Sequence, residues 1–283
     1  MAVLSFTAYS IGRPLLESLE KKPFTGYVAG IYKHSCNIIG DDGRMITLAL
    51  PSIGNGPFSI LIEVQTPLSS ITPKMRVRAG HYGLTVGNIL FIHLEGIDYW
   101  VPRLLQFPRS FHLKTSNAEL LNNYTQWLEP LNEISTEKIV KDKLIARAME
   151  LQQALSNGNS IKRAVINLAG LGFGLTPSGD DYLLGVMASL WLTRNTSRLE
   201  EIARLGCKKT TSLSGAFLKA ASKGEFAECW HRLALAILSQ EAITVQAAIS
   251  EIAQIGSYSG RDALSGFTTH FLESSFGVEV SQN

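Results

Sequence analysis

The chain is poor in several features that would announce a function. Its 283 residues hold three cysteines, Cys36, Cys207 and Cys229, odd in number and far apart. That excludes a disulfide framework and a CxxC metal site, and each cysteine reads as a small core residue. Charge of one sign is missing too: 26 Lys+Arg stand against 24 Asp+Glu. Neither nucleic acid nor a membrane surface is implied as a partner. No apolar run approaches the ~18 residues of a membrane span, and the first residues lack the basic start and small-residue cleavage site of a signal peptide. The expectation is a soluble, cytoplasmic protein. The histidines at 34, 81, 93, 112, 231 and 270 show no HExxH or H-x-x-x-H spacing, so no metal site is expected. No Gly-x-Ser-x-Gly elbow presents a nucleophile.

What is present divides into two textures. From Thr25 to Val101, short β-branched and aromatic runs alternate with turn signals: 26–32, 46–50, 60–64, Val77, 82–84, 89–92 and 99–101. Asp41-Asp42-Gly43 lies between two of them as a hairpin turn. This spacing predicts an antiparallel β sandwich or barrel. The pattern breaks at Pro102 and Pro108, and helical periodicity follows. Over 137–155, apolar residues recur at Ile139, Leu144, Ile145, Ala148, Leu151 and Leu155. Further helices are expected at 181–192, 197–206, 212–222, 225–239, 243–255 and from about Asp262. The fold class is therefore α+β, with a β-rich domain over 1–110 and a mostly helical domain over 111–283, the break falling within 102–119.

One motif carries most of the information. After the apolar run 164–168 comes Gly170-Leu171-Gly172-Phe173-Gly174-Leu175-Thr176-Pro177-Ser178-Gly179-Asp180-Asp181. Four glycines in ten residues give a loop whose N–H groups can face one way at a helix start, an arrangement that suits an anion. No Gly-Lys-Ser/Thr follows, and the G-x-G-x-x-G spacing is absent, so neither usual nucleotide loop applies. Ser178 to Asp181 also fits a capping box, which needs no ligand. A capping box alone does not require Gly170, Gly172 and Gly174 upstream. Asp180 and Asp181 could hold Mg²⁺ beside a phosphate, but two carboxylates make only part of a shell and no cofactor is required. Thr210 to Ser214 precede a helix as a cap, with Ser214 a candidate to reach the loop.

The motif has an echo. Ser259-Gly260-Arg261-Asp262-Ala263-Leu264-Ser265-Gly266 shares S-G-x-D-x-L-x-G with 178–185. Two unrelated helix caps would give the same pattern. The sharper reading is a pseudo-symmetric helix pair crossing at Gly185 and Gly266, both N-termini facing one site. Arg261 would then offer a cationic fork to a carboxylate or phosphate.

The glycine motif followed by Leu183-Leu184-Gly185, together with the echo, resembles the AllH family. The resemblance implies a subunit of oxamate carbamoyltransferase in anaerobic allantoin breakdown, working with FdrA-like and AllG-like subunits on oxalurate and phosphate to give oxamate and carbamoyl phosphate. On this reading Asp180, Asp181 and Arg261 are the expected catalytic residues. Gly170, Gly172, Gly174, Thr176, Ser178, Gly179, Ser214, Ser259, Gly260 and Asp262 would bind the anions. The Ser-Thr-Arg-Thr phosphate motif of aspartate and ornithine carbamoyltransferases is absent. The alternative reading is a noncatalytic subunit whose loop holds a phosphate-bearing metabolite.

Overall fold

A computed structural model describes residues 3–63, 66–124 and 136–276. The chain forms two compact units: Met1–Arg103 with Glu225–Glu228, and Leu104–Gly224 with Cys229–Asn283.

The first unit is built on one ten-stranded sheet. Its strands are β1 (Leu4–Thr7), β2 (Ser10–Gly12), β3 (Phe24–Ile31), β4 (Ser35–Gly40), β5 (Met45–Ala49), β6 (Ser59–Leu61), β7 (Arg76–Gly80), β8 (Gly83–Val86), β9 (Leu90–His93) and β10 (Asp98–Trp100). They lie in the order β1-β9-β8-β7-β3-β4-β5-β6-β2-β10. The expected antiparallel ladder runs from β9 to β5, but the sheet as a whole is a mixed half-barrel. β1 with β9, β5 with β6, and β2 with β10 pair in parallel. Alternation reports which side of a strand is buried and says nothing about the direction of its neighbour. Val64, in the run expected to form the strand now seen at β6, lies outside the described residues.

Alternation places Cys36, Ile38, Leu84 and Val86 on the buried face of β4 and β8. Helix α1 (Arg13–Lys21) buries Leu15 and Leu19, four residues apart on one face, in the same core. Pro14, in the first turn of α1, costs no hydrogen bond there. In the turn from β4 to β5 only Gly43 takes a positive φ, +81°. Its N–H donates to the carbonyl of Gly40.

Residues 225–228 belong to this unit, and the helix expected to begin at Glu225 begins at Glu228. The Phe226 N–H donates to the Pro102 carbonyl, and Arg103 and Glu225 form a bridge. Glu228 accepts from the Asn55 backbone N–H at 2.8 Å and from its amide at 2.9 Å, while Asn55 Oδ1 accepts from Ser10 at 2.6 Å.

The second unit is helical: α3 (Thr115–Asn122), α4 (Thr136–Ser156), α5 (Lys162–Leu168), α6 (Ser178–Leu192), α7 (Leu199–Gly206), α8 (Ser212–Ala221), α9 (Glu228–Ser239), α10 (Ala242–Ala253) and α11 (Ser259–Phe276), with the short α2 (Thr66–Ser70) in the first unit. Leu144, Ala148 and Leu151 form the buried face of α4, whereas Ile139 is exposed. Helix α6 is buried on nearly every side, as its run of apolar and small residues requires.

α11 crosses α6 at the glycines. A Cβ on Gly185 would lie 1.8 Å from the Ala263 carbonyl oxygen, and one on Gly266 would lie 2.0 Å from that of Tyr182. Farther along, Ser189 Oγ and His270 Nδ1 are hydrogen-bonded at 2.9 Å across 81 residues of sequence. Residues 182, 185 and 189 are offset by the same interval from 263, 266 and 270, so the two helices exchange equivalent contacts about a local two-fold. Two unrelated capped helices would not do this.

Candidate functional site

All the site residues belong to the helical unit. Helix α5 stops where the backbone turns left-handed at Gly170, φ +75°. A Cβ there would lie 2.3 Å from the Lys209 carbonyl oxygen. Gly172, φ +124°, packs against the Ser178 backbone nitrogen, 2.6 Å from where a Cβ would sit. Gly174, φ +87°, has open space around it, so its demand is conformational only. Gly179 is needed for close approach: a Cβ would lie 2.0 Å from the Leu168 carbonyl oxygen. The tip of the loop, Phe173 and Gly174, is exposed.

The Ser178 to Asp181 capping box does not form. Pro177 is the N-cap of α6 and has no side-chain cap bond, and its carbonyl accepts from the N–H groups of both Asp180 and Asp181. Both carboxylates are thereby released for other contacts. Asp180 accepts from the Gly170 N–H at 3.0 Å and from the Thr210 hydroxyl, tying the loop to the turn before α8. Thr211 caps α8 by accepting from the Ser214 N–H, and its own hydroxyl donates to the Leu175 carbonyl at 2.7 Å. On the other side Thr176 and Ser259 share a hydrogen bond of 2.9 Å, bringing the start of α11 to the loop. The starts of α6, α8 and α11 therefore meet around one glycine loop. Each helix start leaves backbone donors unused and presents the positive end of a dipole.

Three carboxylates are buried at this junction: Asp180, Asp181 and Asp262, at 2%, 7% and 3% exposure. Burial pushes Asp180 above the usual carboxylate range, opposed by Thr210, the Gly170 N–H and the nearby Ser214 hydroxyl. Asp181 is pushed well above it by burial first; the hydroxyls of Ser259 and Thr176 oppose the shift, and the charges of Asp262 and Asp180 add to it. Asp181 Oδ2 and Ser214 Oγ are buried without a hydrogen-bond partner. Gly260 serves packing, since a Cβ would lie 1.8 Å from the Ile252 carbonyl oxygen. Arg261 is exposed at the first turn of α11. Among the described residues no group of three or more His, Cys, Asp and Glu is placed to hold a metal ion. Cys36 and Cys229 are buried as expected, but Cys207 is only half-buried and donates to the Gly215 carbonyl in α8.

A pH effect follows from Asp181. The folded state holds its proton more tightly than the unfolded chain, whose value is near the ordinary 3.8. This stabilisation is complete below 3.8 and is lost as pH rises through the higher folded value. Asp181→Asn keeps the neutral shape at every pH. It is expected to melt above the parent at neutral pH and to show a flatter dependence of melting temperature on pH. Parallel curves for parent and variant would contradict the assignment.

The sequence singled out the loop, the carboxylates and the helix pair; it missed the paired roles of Thr210 and Thr211. Two threonines at one helix start, Thr211 in the N-cap position and Thr210 before it, are one more than a cap uses, which was the available signal.

The fold and site define a two-part α+β protein in which three helix starts frame a glycine loop. The family profile described as oxamate carbamoyltransferase subunit AllH matches residues 168–271, which span the loop, α6 and most of α11. The AllH family N-terminal domain matches 7–99, in the sheet. The chain belongs to the AllH family. No solved structure matches it. Among the described residues no helix is long and apolar enough to cross a membrane.

Proposed function

We propose that this chain provides the anion-holding site of a cytoplasmic oxamate carbamoyltransferase, which interconverts oxalurate plus phosphate with oxamate plus carbamoyl phosphate in allantoin breakdown. FdrA-like and AllG-like subunits complete the enzyme. The observation that carries this reading is the meeting of the α6, α8 and α11 starts at one glycine loop. Phosphate and the substrate carboxylate are both anions, and the tetrahedral intermediate at the carbamoyl carbon gathers a third negative charge. Backbone donors fixed in place stabilise such charge without reorganising, and they call for no cofactor. Thr176, Ser178, Ser214 and Ser259 add hydroxyl donors, and Arg261, exposed in the first turn of α11, is the candidate guanidinium. Carboxylates crowded into an anion site would repel the ligands if ionised. Burial favours the protonated form of Asp181, which removes its share of that repulsion.

The test is reconstitution of the purified chain with its partner subunits, following oxamate-dependent loss of carbamoyl phosphate. Turnover supports the reading, and its absence with all subunits present overturns it. Gly174→Val is expected to lower phosphate affinity at least tenfold with an unchanged circular dichroism spectrum. The substitution forces a β-branched residue to φ +87° in open space, which alters the loop without touching a core. Phosphate bound by the parent but no turnover with the partners would leave a purely binding subunit.

A further inference from the structure

Resting on that reading, the site must also move a proton. In phosphorolysis a phosphate oxygen attacks the carbamoyl carbon and forms the new C–O bond. The bond to the oxamate nitrogen then breaks, and its electron pair stays on nitrogen. An amide anion is a poor leaving group, so this nitrogen must receive a proton as it departs. The proton on the attacking hydrogenphosphate is released as carbamoyl phosphate forms, so a single group can give one proton and regain another.

Of the buried acids, Asp180 spends both its oxygens on the loop, at the Gly170 N–H and the Thr210 hydroxyl. Asp181 does not: its Oδ2 is buried and without a partner beside the hydroxyls of Thr176 and Ser259. A second observation comes from another helix, where Ser214 Oγ, 3% exposed and near Asp180, also lacks a partner. A polar atom left unsatisfied in this way costs about 1–3 kcal/mol, a cost that a polar ligand or an ordered water at the junction would recover. Asp262 stands across the helix crossing at the position equivalent to Asp181, near enough for its charge to act on it.

We propose that Asp181 is the acid–base group of the transfer, handing its proton from Oδ2 to the departing amide nitrogen and retrieving one in the reverse direction, with Asp262 as its coupled neighbour. Burial and the adjoining carboxylates favour the protonated form that phosphorolysis needs. A neutral carboxyl also sits beside two anionic substrates without repelling them. The titratable group facing the pair is Asp180 in α6; Cys207 lies within reach of the Asp180 charge, and Lys219 acts on Cys207.

The experiment uses the reconstituted complex and measures kcat, KM and their pH profiles in the phosphorolysis direction. Asp181→Asn is expected to lower kcat at least a hundredfold while KM changes less than threefold, within the range of roughly 10²–10⁴ ascribed to general acid–base catalysis. Asp262→Asn removes a neighbouring negative charge, so Asp181 gives up its proton more readily and the alkaline limb of the kcat profile moves to lower pH. A purely structural role would reduce the amount of active enzyme and leave that limb in place. The infrared carbonyl band of a protonated carboxyl, present in the purified parent chain at neutral pH and lost in Asp181→Asn, reports the same proton without turnover. Near-parental kcat in Asp181→Asn, or an unmoved limb in Asp262→Asn, would overturn the proposal while leaving the carbamoyltransferase reading intact. A parent complex without turnover overturns both.

Discussion

Gly185→Val and Gly266→Val are each expected to destabilise the helical unit by roughly 3 kcal/mol or more, the upper end of what overpacking costs. At roughly 2–4 °C per kcal/mol for a unit of this size, the melting point should fall by about 10 °C. The size of the effect follows from what the new atoms meet. At both positions the obstacle is backbone, the carbonyl oxygens of Ala263 and Tyr182, and not the movable end of a side chain. Relief therefore requires α6 and α11 to separate, and separation exposes Tyr182, Phe267 and Phe271, all fully buried at the crossing. Gly80→Ala is the control, because a Cβ there meets nothing within 4 Å. Thermal melts of the three variants decide the matter. A Gly185→Val chain that melts with the parent would show that the crossing is looser than drawn.

Gly170→Ala should combine a stability loss with a binding loss. The residue holds φ +75°, which costs a residue with a Cβ about 1–2 kcal/mol, and the new Cβ would press on the Lys209 carbonyl from 2.3 Å. Its N–H is one of the two donors to Asp180, so displacing it also loosens the tie from α6 to Thr210. We expect a total of about 2–4 kcal/mol and at least a tenfold loss of phosphate affinity. Gly174→Ala pays only the conformational part, so it should stay closer to the parent in denaturation while still disturbing the loop. Urea unfolding together with calorimetric titration of phosphate separates the two contributions. Equal stability of the two alanine variants would mean that Lys209 yields freely and does not fix the loop.

The sequence reveals most where the cause is local. The left-handed glycines, the alternating faces of β4 and β8, and the Leu144–Ala148–Leu151 face of α4 are set by neighbours a few residues away, and each can be read from spacing. The echo around Ser259 is legible for another reason: a helix crossing this close admits only glycine, so two helices packed by the same rule carry the same mark. Parallel pairing of β1 with β9 and of β2 with β10 joins segments whose own patterns say nothing of each other. The N-terminal strands and α1 are short and fall before the first clear alternation at Thr25. The capping box was misread because Ser178 and Asp181 have the right chemistry, but the Pro177 carbonyl reaches their helix turn first. Thr210 meets Asp180 across 30 residues, a contact that no periodicity encodes.

The return of residues 225–228 to the first unit has a consequence for how the protein is made. A nascent chain leaves the ribosome with its amino end first, and domains tend to fold as they emerge. Here the first unit cannot be completed on that schedule. Until Glu228 is synthesised, the backbone and side-chain N–H groups of Asn55 lack the carboxylate that receives them, and Pro102 lacks the amide of Phe226. The entire stretch that forms the glycine loop is translated in the interval. Neither unit is an uninterrupted stretch of gene, and a chain cut after residue 110 would leave the first unit without its last four residues however well its strands were paired.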